Sequence, residues 1–227
     1  MDERQQTSMK RKADTVEFYR QQNKSAAQGK IVFAGSSLME GFPINKLLEE
    51  HHDGTTIYNR GVAGFVTAEL EQALDVCVLD LKPARLFINI GTNDLNDPDL
   101  AIEELTNRYK RILKCIVEEL PCIEVYLMAY YPVNPNVATG FMKEVLAARS
   151  NERIEQANLA VKALAAQMGM RYIDVNAALK DENGLLRSEY TIEGLHLNEG
   201  GYRAIYDDCE LCMKVTLNLE NPIFMRI

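Results

Sequence analysis

Apolar side chains recur along this chain in two rhythms. Short, nearly continuous runs rich in Ile, Val, Phe or Tyr occupy residues 30–34, 55–59, 84–90, 123–129 and 170–175, each followed by a loop bearing Gly, Asn or Pro. Their length and composition predict strands, and the continuous ones predict strands covered on both faces. Between and after them, residues 68–81, 100–120, 150–168 and 199–217 carry apolar positions at helical spacing, the second opening after Asp97-Pro98 and the third closing at Gly169. Residues 2–22 predict a further helix, with Met9, Ala13, Val16 and Tyr19 along the face expected to pack on the rest.

Strand alternating with helix predicts an α/β fold, a parallel sheet of about five strands with right-handed crossovers and helices on both faces, in three layers. No linker or internal repeat divides the sequence, so residues 1–227 are expected to form a single domain with an N-terminal helical extension at about 2–22. The longest stretch without pattern, 131–143, carries Pro132, Pro135 and Gly140 just after the fourth strand, where α/β folds place ligand loops.

Composition narrows the function classes. Hydrophobic residues make up 47% and charged residues 26% of 227, ordinary globular values, so disordered and collagenous classes fall away. A net charge of −8 and no basic run beyond Lys10-Arg11-Lys12 argue against nucleic acid as a partner. No stretch approaches the about 18 apolar residues of a membrane span, and residues 1–28 are polar without a signal-peptide core, which predicts a cytoplasmic protein. Five cysteines, with Cys77, Cys115 and Cys122 in apolar contexts, argue against a disulfide framework. The Cys209-x-x-Cys212 pair lies in a helical pattern without a second pair, so zinc or redox use is not expected.

Ligands of open α/β sheets bind beyond the carboxyl ends of the strands. There the chain places Gly35-Ser36-Ser37-Leu38 after the first strand, Asn59-Arg60-Gly61-Val62-Ala63-Gly64 after the second and Gly91-Thr92-Asn93-Asp94 after the third, with Glu193-Gly194-Leu195-His196 before the last helix. Acyl transfer needs a nucleophile, a base, a group orienting the base and donors for an oxyanion. Ser37 would be exposed at a strand-to-helix turn, and His196 is the candidate base, because His51 and His52 sit in a polar stretch. Glu193, three residues before His196, is spaced to reach the imidazole Nδ1 and leave Nε2 for the serine proton. The backbone N–H of Gly64 or Gly61, the Ser37 N–H and the Asn93 amide are candidate oxyanion donors. One credible histidine cannot make a zinc or iron site, so no metal is expected.

These residues resemble the SGNH or GDSL-type hydrolases, a lipase and acylhydrolase family that carries serine, glycine, asparagine and histidine in four blocks. Ser37, Asn93 and His196 fall on the first, third and fourth blocks; five residues on from Asn59, Gly64 falls on the oxyanion glycine, with Gly61 as the rival register. The resemblance covers nearly the whole chain and implies a flavodoxin-like fold and cofactor-free hydrolysis of lipid, carbohydrate or other small acyl esters. It also departs in two places: Ser36 stands where the family usually has Asp, making it a rival nucleophile, and Glu193 also stands where Asp is usual. A serine esterase acting on small carboxylic esters is therefore expected. The alternatives are a carbohydrate O-deacetylase with the same residues and a non-catalytic flavodoxin-like nucleotide-binding module with Gly35-Ser36-Ser37 around a phosphate.

Overall fold

The computed structural model describes residues 3–214. Five strands, β1 (Ile31–Gly35), β2 (Ile57–Gly61), β3 (Arg85–Asn89), β4 (Glu124–Met128) and β5 (Arg171–Ile173), form one parallel sheet in the order β2-β1-β3-β4-β5. The chain starts one strand in from an edge, adds β2 at that edge, and returns past β1 to lay down β3, β4 and β5 on the other side. That reversal between β1 and β3 makes the switch point at which α/β folds open a crevice.

The pleat sends alternate side chains to opposite cores. Val32, Ala34, Leu86, Ile88, Val125 and Leu127 enter one core, under α1 (Glu3–Asn23), α4 (Thr67–Gln72), α5 (Leu74–Cys77), α6 (Ile102–Glu119) and α8 (Asn151–Gln167). Phe33, Phe87, Tyr126 and Met128 enter the other, under α2 (Ser37–Glu40), α3 (Ile44–Glu50), α9 (Asn176–Leu179) and α10 (Glu199–Lys214). At the centre of this second core the Phe87 ring lies 5.1 Å from Phe33 and stacks 4.5 Å from Tyr126. The sheet is covered on both sides, which is why its strands read as nearly unbroken apolar runs.

The structure departs from the sequence expectation in several places. The segment expected as one helix at 68–81 breaks at Ala73 and Val78 into α4, α5 and a 3₁₀ turn at Leu79–Leu81. Leu70, Leu74, Val76, Cys77, Val78 and Leu81 are all buried, and a single straight helix could not turn that many apolar positions toward one core. Strand β2 runs two residues further than the expected 55–59, which draws Gly61 into the sheet. The last eight residues before Arg149 form α7 (Phe141–Ala148), so the open connection ends at 140 and its expected last three residues are helical. The helix expected to reach 217 is described to Lys214; its last three residues lie outside the described residues.

Among the described residues, the apolar contacts of helix α1 with the core are made by Val16 and Tyr19; Met9 is exposed and Ala13 faces solvent. Polar contacts hold the rest. Tyr19 donates to the Gly61 carbonyl at 2.8 Å, Arg11 pairs with Glu40 at 2.9 Å, and Lys12 pairs with Glu69 at 2.8 Å.

Candidate active site

In the sheet register Gly35 lies beside Gly61 on one side and Asn89 on the other, so three connecting loops leave the carboxyl edge at one level. Helix α2 begins almost at once. Ser36 takes the N-cap position with an extended backbone, and Ser37 is the first helical residue. As such its N–H has no partner within the helix. The two serines part here: Ser36 Oγ is buried without a hydrogen-bond partner among the described residues, whereas Ser37 Oγ lies 2.9 Å from His196 Nε2. Tyr202 of α10 donates to the Leu38 carbonyl at 2.9 Å, tying α2 to the helix that follows the histidine loop.

The loop carrying His196 is closed on itself. Thr191 Oγ1 donates to the His196 carbonyl and accepts from the Gly194 N–H, each at 2.9 Å, while the Ile192 N–H also donates to the His196 carbonyl at 3.0 Å. Within that frame Glu193 Oε1 lies 2.6 Å from His196 Nδ1 and accepts from the His196 N–H at 2.9 Å. A carboxylate at Nδ1 fixes the proton there and leaves Nε2 as an acceptor facing Ser37. The Asn134 N–H donates to the Gly194 carbonyl at 2.7 Å, so the connection after β4 braces the loop. The His196 side chain is 38% exposed and Glu193 is 25% exposed, leaving the pair open to an incoming ligand.

The two glycine registers separate as well. Gly61 ends β2 with its N–H on Asn59 Oδ1 at 3.0 Å, and a Cβ there would lie 2.2 Å from the Glu40 nitrogen, because α2 crosses β2 in close contact. Gly64 has φ +81°, a left-handed backbone, and no acceptor among the described residues meets its N–H. Glu40 accepts from the neighbouring Ala63 N–H at 3.0 Å and holds this loop against α2. Gly64, not Gly61, therefore presents a free donor.

Asn93 stands next to that loop, donating one Nδ2–H to the Phe65 carbonyl at 2.9 Å and keeping the other without a protein acceptor among the described residues. Asp94 joins the two loops from beneath, accepting from the Thr67 N–H at 2.9 Å and from Thr67 Oγ1 at 2.5 Å. Behind the asparagine, Arg149 Nη2 donates to Asn93 Oδ1 at 2.8 Å. Sequence reasoning singled out Ser37, Glu193, His196, Gly64 and Asn93, and the fold gathers them at this edge. It did not single out Phe65, Thr67 or Arg149. Arg149 is 56 positions from Asn93, and no spacing rule relates the two.

Elsewhere, His51 is the C-cap residue of α3, with its ring 4.6 Å from that of Tyr206 in α10. All five cysteines are free thiols, and burial pushes the Cys77 thiol up to about 12. Among the described residues no group of three His, Cys, Asp or Glu side chains is placed to hold a metal ion, and no helix is long and apolar enough to cross a membrane.

A five-stranded parallel sheet under helices on both faces is a three-layer α/β fold, and here it carries a linked serine, histidine and carboxylate at its carboxyl edge. The chain belongs to the GDSL-like lipase/acylhydrolase family, whose pattern it matches over residues 33–204. A Streptococcus pneumonia protein provisionally described as a platelet activating factor is 31% identical, with 92% of this chain and 95% of that chain covered and a TM-score of 0.82. A GDSL-like lipase from Bacteroides thetaiotaomicron VPI-5482 is 20% identical, with 89% and 98% covered and a TM-score of 0.73. The N-acylneuraminate cytidylyltransferase of Escherichia coli O18:K1:H7 (strain RS218 / NMEC) is 24% identical over 179 residues, which is 78% of this chain; the chain spans 39% of that protein's length.

Proposed function

We propose that Ser37 is the nucleophile of a serine esterase that cleaves small carboxylic esters through an acyl-enzyme. The observation that carries this reading is the unbroken line from Glu193 Oε1 to His196 Nδ1, 2.6 Å, and from His196 Nε2 to Ser37 Oγ, 2.9 Å. Both lengths are those of hydrogen bonds between a base, its orienting group and a nucleophile.

Ser37 Oγ attacks the ester carbonyl carbon as its proton passes to His196 Nε2. The carbonyl π pair moves onto oxygen, which is met by the Ser37 N–H, the Gly64 N–H and the spare Nδ2–H of Asn93, donors that carry no charge of their own. The carbon–oxygen bond to the alcohol then breaks, and the imidazolium returns its proton to the leaving oxygen. Water repeats the sequence, His196 taking its proton, and hydrolysis of the Ser37 ester releases the acid. The Glu193 carboxylate stabilises the imidazolium formed at each stage. No metal or organic cofactor takes part. Free thiols at all five cysteines accord with a reducing, cytoplasmic setting, with the whole chain acting as one hydrolase domain on a small-molecule ester.

Labelling with a fluorophosphonate tests the reading. The folded protein is expected to be modified at Ser37; Ser37→Ala is expected to lose labelling and ester turnover, and Ser36→Ala to keep most of both. Labelling that survives Ser37→Ala and disappears in Ser36→Ala would reverse the assignment.

A further inference from the structure

An asparagine amide can be turned either way, and the chemistry of its neighbours decides which end faces the reaction. At Asn93 both neighbours agree. The Arg149 guanidinium only donates, so the atom 2.8 Å from its Nη2 is Oδ1. The Phe65 carbonyl only accepts, so the atom 2.9 Å from it is Nδ2. Turned over, the amide would set N–H against a guanidinium and oxygen against a carbonyl. With the Phe65 carbonyl alone, the amide would keep one hydrogen bond and lose the partner that locks its plane.

Arg149 is poorly explained as a surface or packing residue. It is 3% exposed, yet its side-chain hydrogen bonds go to neutral amides: Asn93 Oδ1, and Asn96 Oδ1 at 2.9 Å from Nη2 and 3.2 Å from Nε. Burying a cation without a carboxylate in contact is costly. The guanidinium's pKa falls to about 10 through desolvation, opposed by Asp94, so it is charged near neutrality. Helix α7 ends at Ala148 with Arg149 as its C-cap residue, and Asn96 Oδ1 accepts from both Nε and Nη2, fixing the guanidinium plane.

We propose that Arg149 is the positioning residue of the oxyanion hole: its buried charge orients the Asn93 amide and polarises it, so that the spare Nδ2–H is aimed and strengthened as a donor to the developing oxyanion. A charge-assisted bond at Oδ1 draws electron density from the amide nitrogen, and hydrogen bonds in series reinforce one another. Arg149 itself does not touch substrate. The proposal rests on the oxyanion role of Asn93 given above.

A kinetic double-mutant cycle of Arg149→Met with Asn93→Ala tests it, with kcat referred to fluorophosphonate-titrated sites so that misfolded protein is not counted. Arg149→Met is expected to lower kcat per site by about tenfold to a hundredfold, the usual cost of removing a group that orients a reacting one, with KM changed less than about threefold. In the Asn93→Ala background the same substitution is expected to cost less than about twofold, because the group it acts through is gone. Arg149→Lys keeps a charge and one donor and is expected to retain more kcat than Arg149→Met; it also serves if the methionine variant does not fold. Losses that multiply in the double variant, or an Arg149 variant that lowers only the melting temperature and the number of titratable sites, overturn the proposal while leaving Asn93 in its role. Full kcat per site in Asn93→Ala has a different signature: it overturns the role of Asn93, and the Arg149 proposal with it.

Discussion

Glu193 separates a triad from a dyad at the scale of one side chain. Its Oε1 accepts twice from His196, from Nδ1 at 2.6 Å and from the backbone N–H at 2.9 Å. The extra methylene relative to aspartate is thus taken up by a ring-like local contact, and the short spacing from Glu193 to His196 suffices to form it. Glu193→Gln keeps the shape but replaces the carboxylate with an amide, whose NH₂ can face Nδ1 and favour the wrong tautomer. Kcat is expected to fall by up to about 10⁴, while the backbone contact and the melting temperature change little. Steady-state kinetics with site titration checks this, and a loss below about tenfold would assign the orienting role to a backbone group. Ser36 is the other informative residue: one position from Ser37, it points its hydroxyl into the protein, which only the turn from β1 into α2 determines.

Among the elements, α1 shows how unequal its fastenings are. Tyr19 is buried and donates to the Gly61 carbonyl at 2.8 Å, next to the loop that presents Gly64. Tyr19→Phe leaves that carbonyl unpaired in a dry place and is expected to cost about 1–3 kcal/mol. Arg11 also reaches the site's surroundings, through Glu40, but its side chain is 55% exposed, so Arg11→Ala is expected to cost less than about 1 kcal/mol. Urea denaturation of the two variants checks the order; an Arg11 variant as unstable as the Tyr19 variant would mean that the ion pair, not the buried hydroxyl, holds the helix down. Short helices such as α2 and α9, four residues each, depend on such tertiary contacts, since nothing of that length is stable alone.

For the whole molecule, stability and site geometry meet in the sheet. Phe87 lies between Phe33 and Tyr126 in the core on the α2 and α10 side, and its truncation opens a cavity that rigid strands on both sides cannot close. Phe87→Ala is expected to lose about 3–5 kcal/mol, a large part of a typical total of about 5–15, with kcat per folded, titrated site nearly unchanged. Chemical denaturation and site titration together check both halves of that expectation. The α/β class and its strands were readable from the order of apolar runs, because a strand buried on both faces cannot hide its composition. The candidate residues Ser37, Asn93, Glu193 and His196 were readable for a related reason: parallel connectivity sends each strand's following loop to one edge, and Glu193 with His196 is a local pair. Short helices such as α3 and α7 were not readable, since one or two turns carry too little period, and the break in 68–81 follows from how much apolar surface one core accepts. The choice of Gly64 over Gly61 depends on where β2 ends and on α2 crossing it, 2.2 Å from where a Cβ would be. Arg149 beside Asn93 depends on α7 folding back across 56 positions of chain. Contacts of that kind arise from packing between distant segments, and local pattern has no means of recording them.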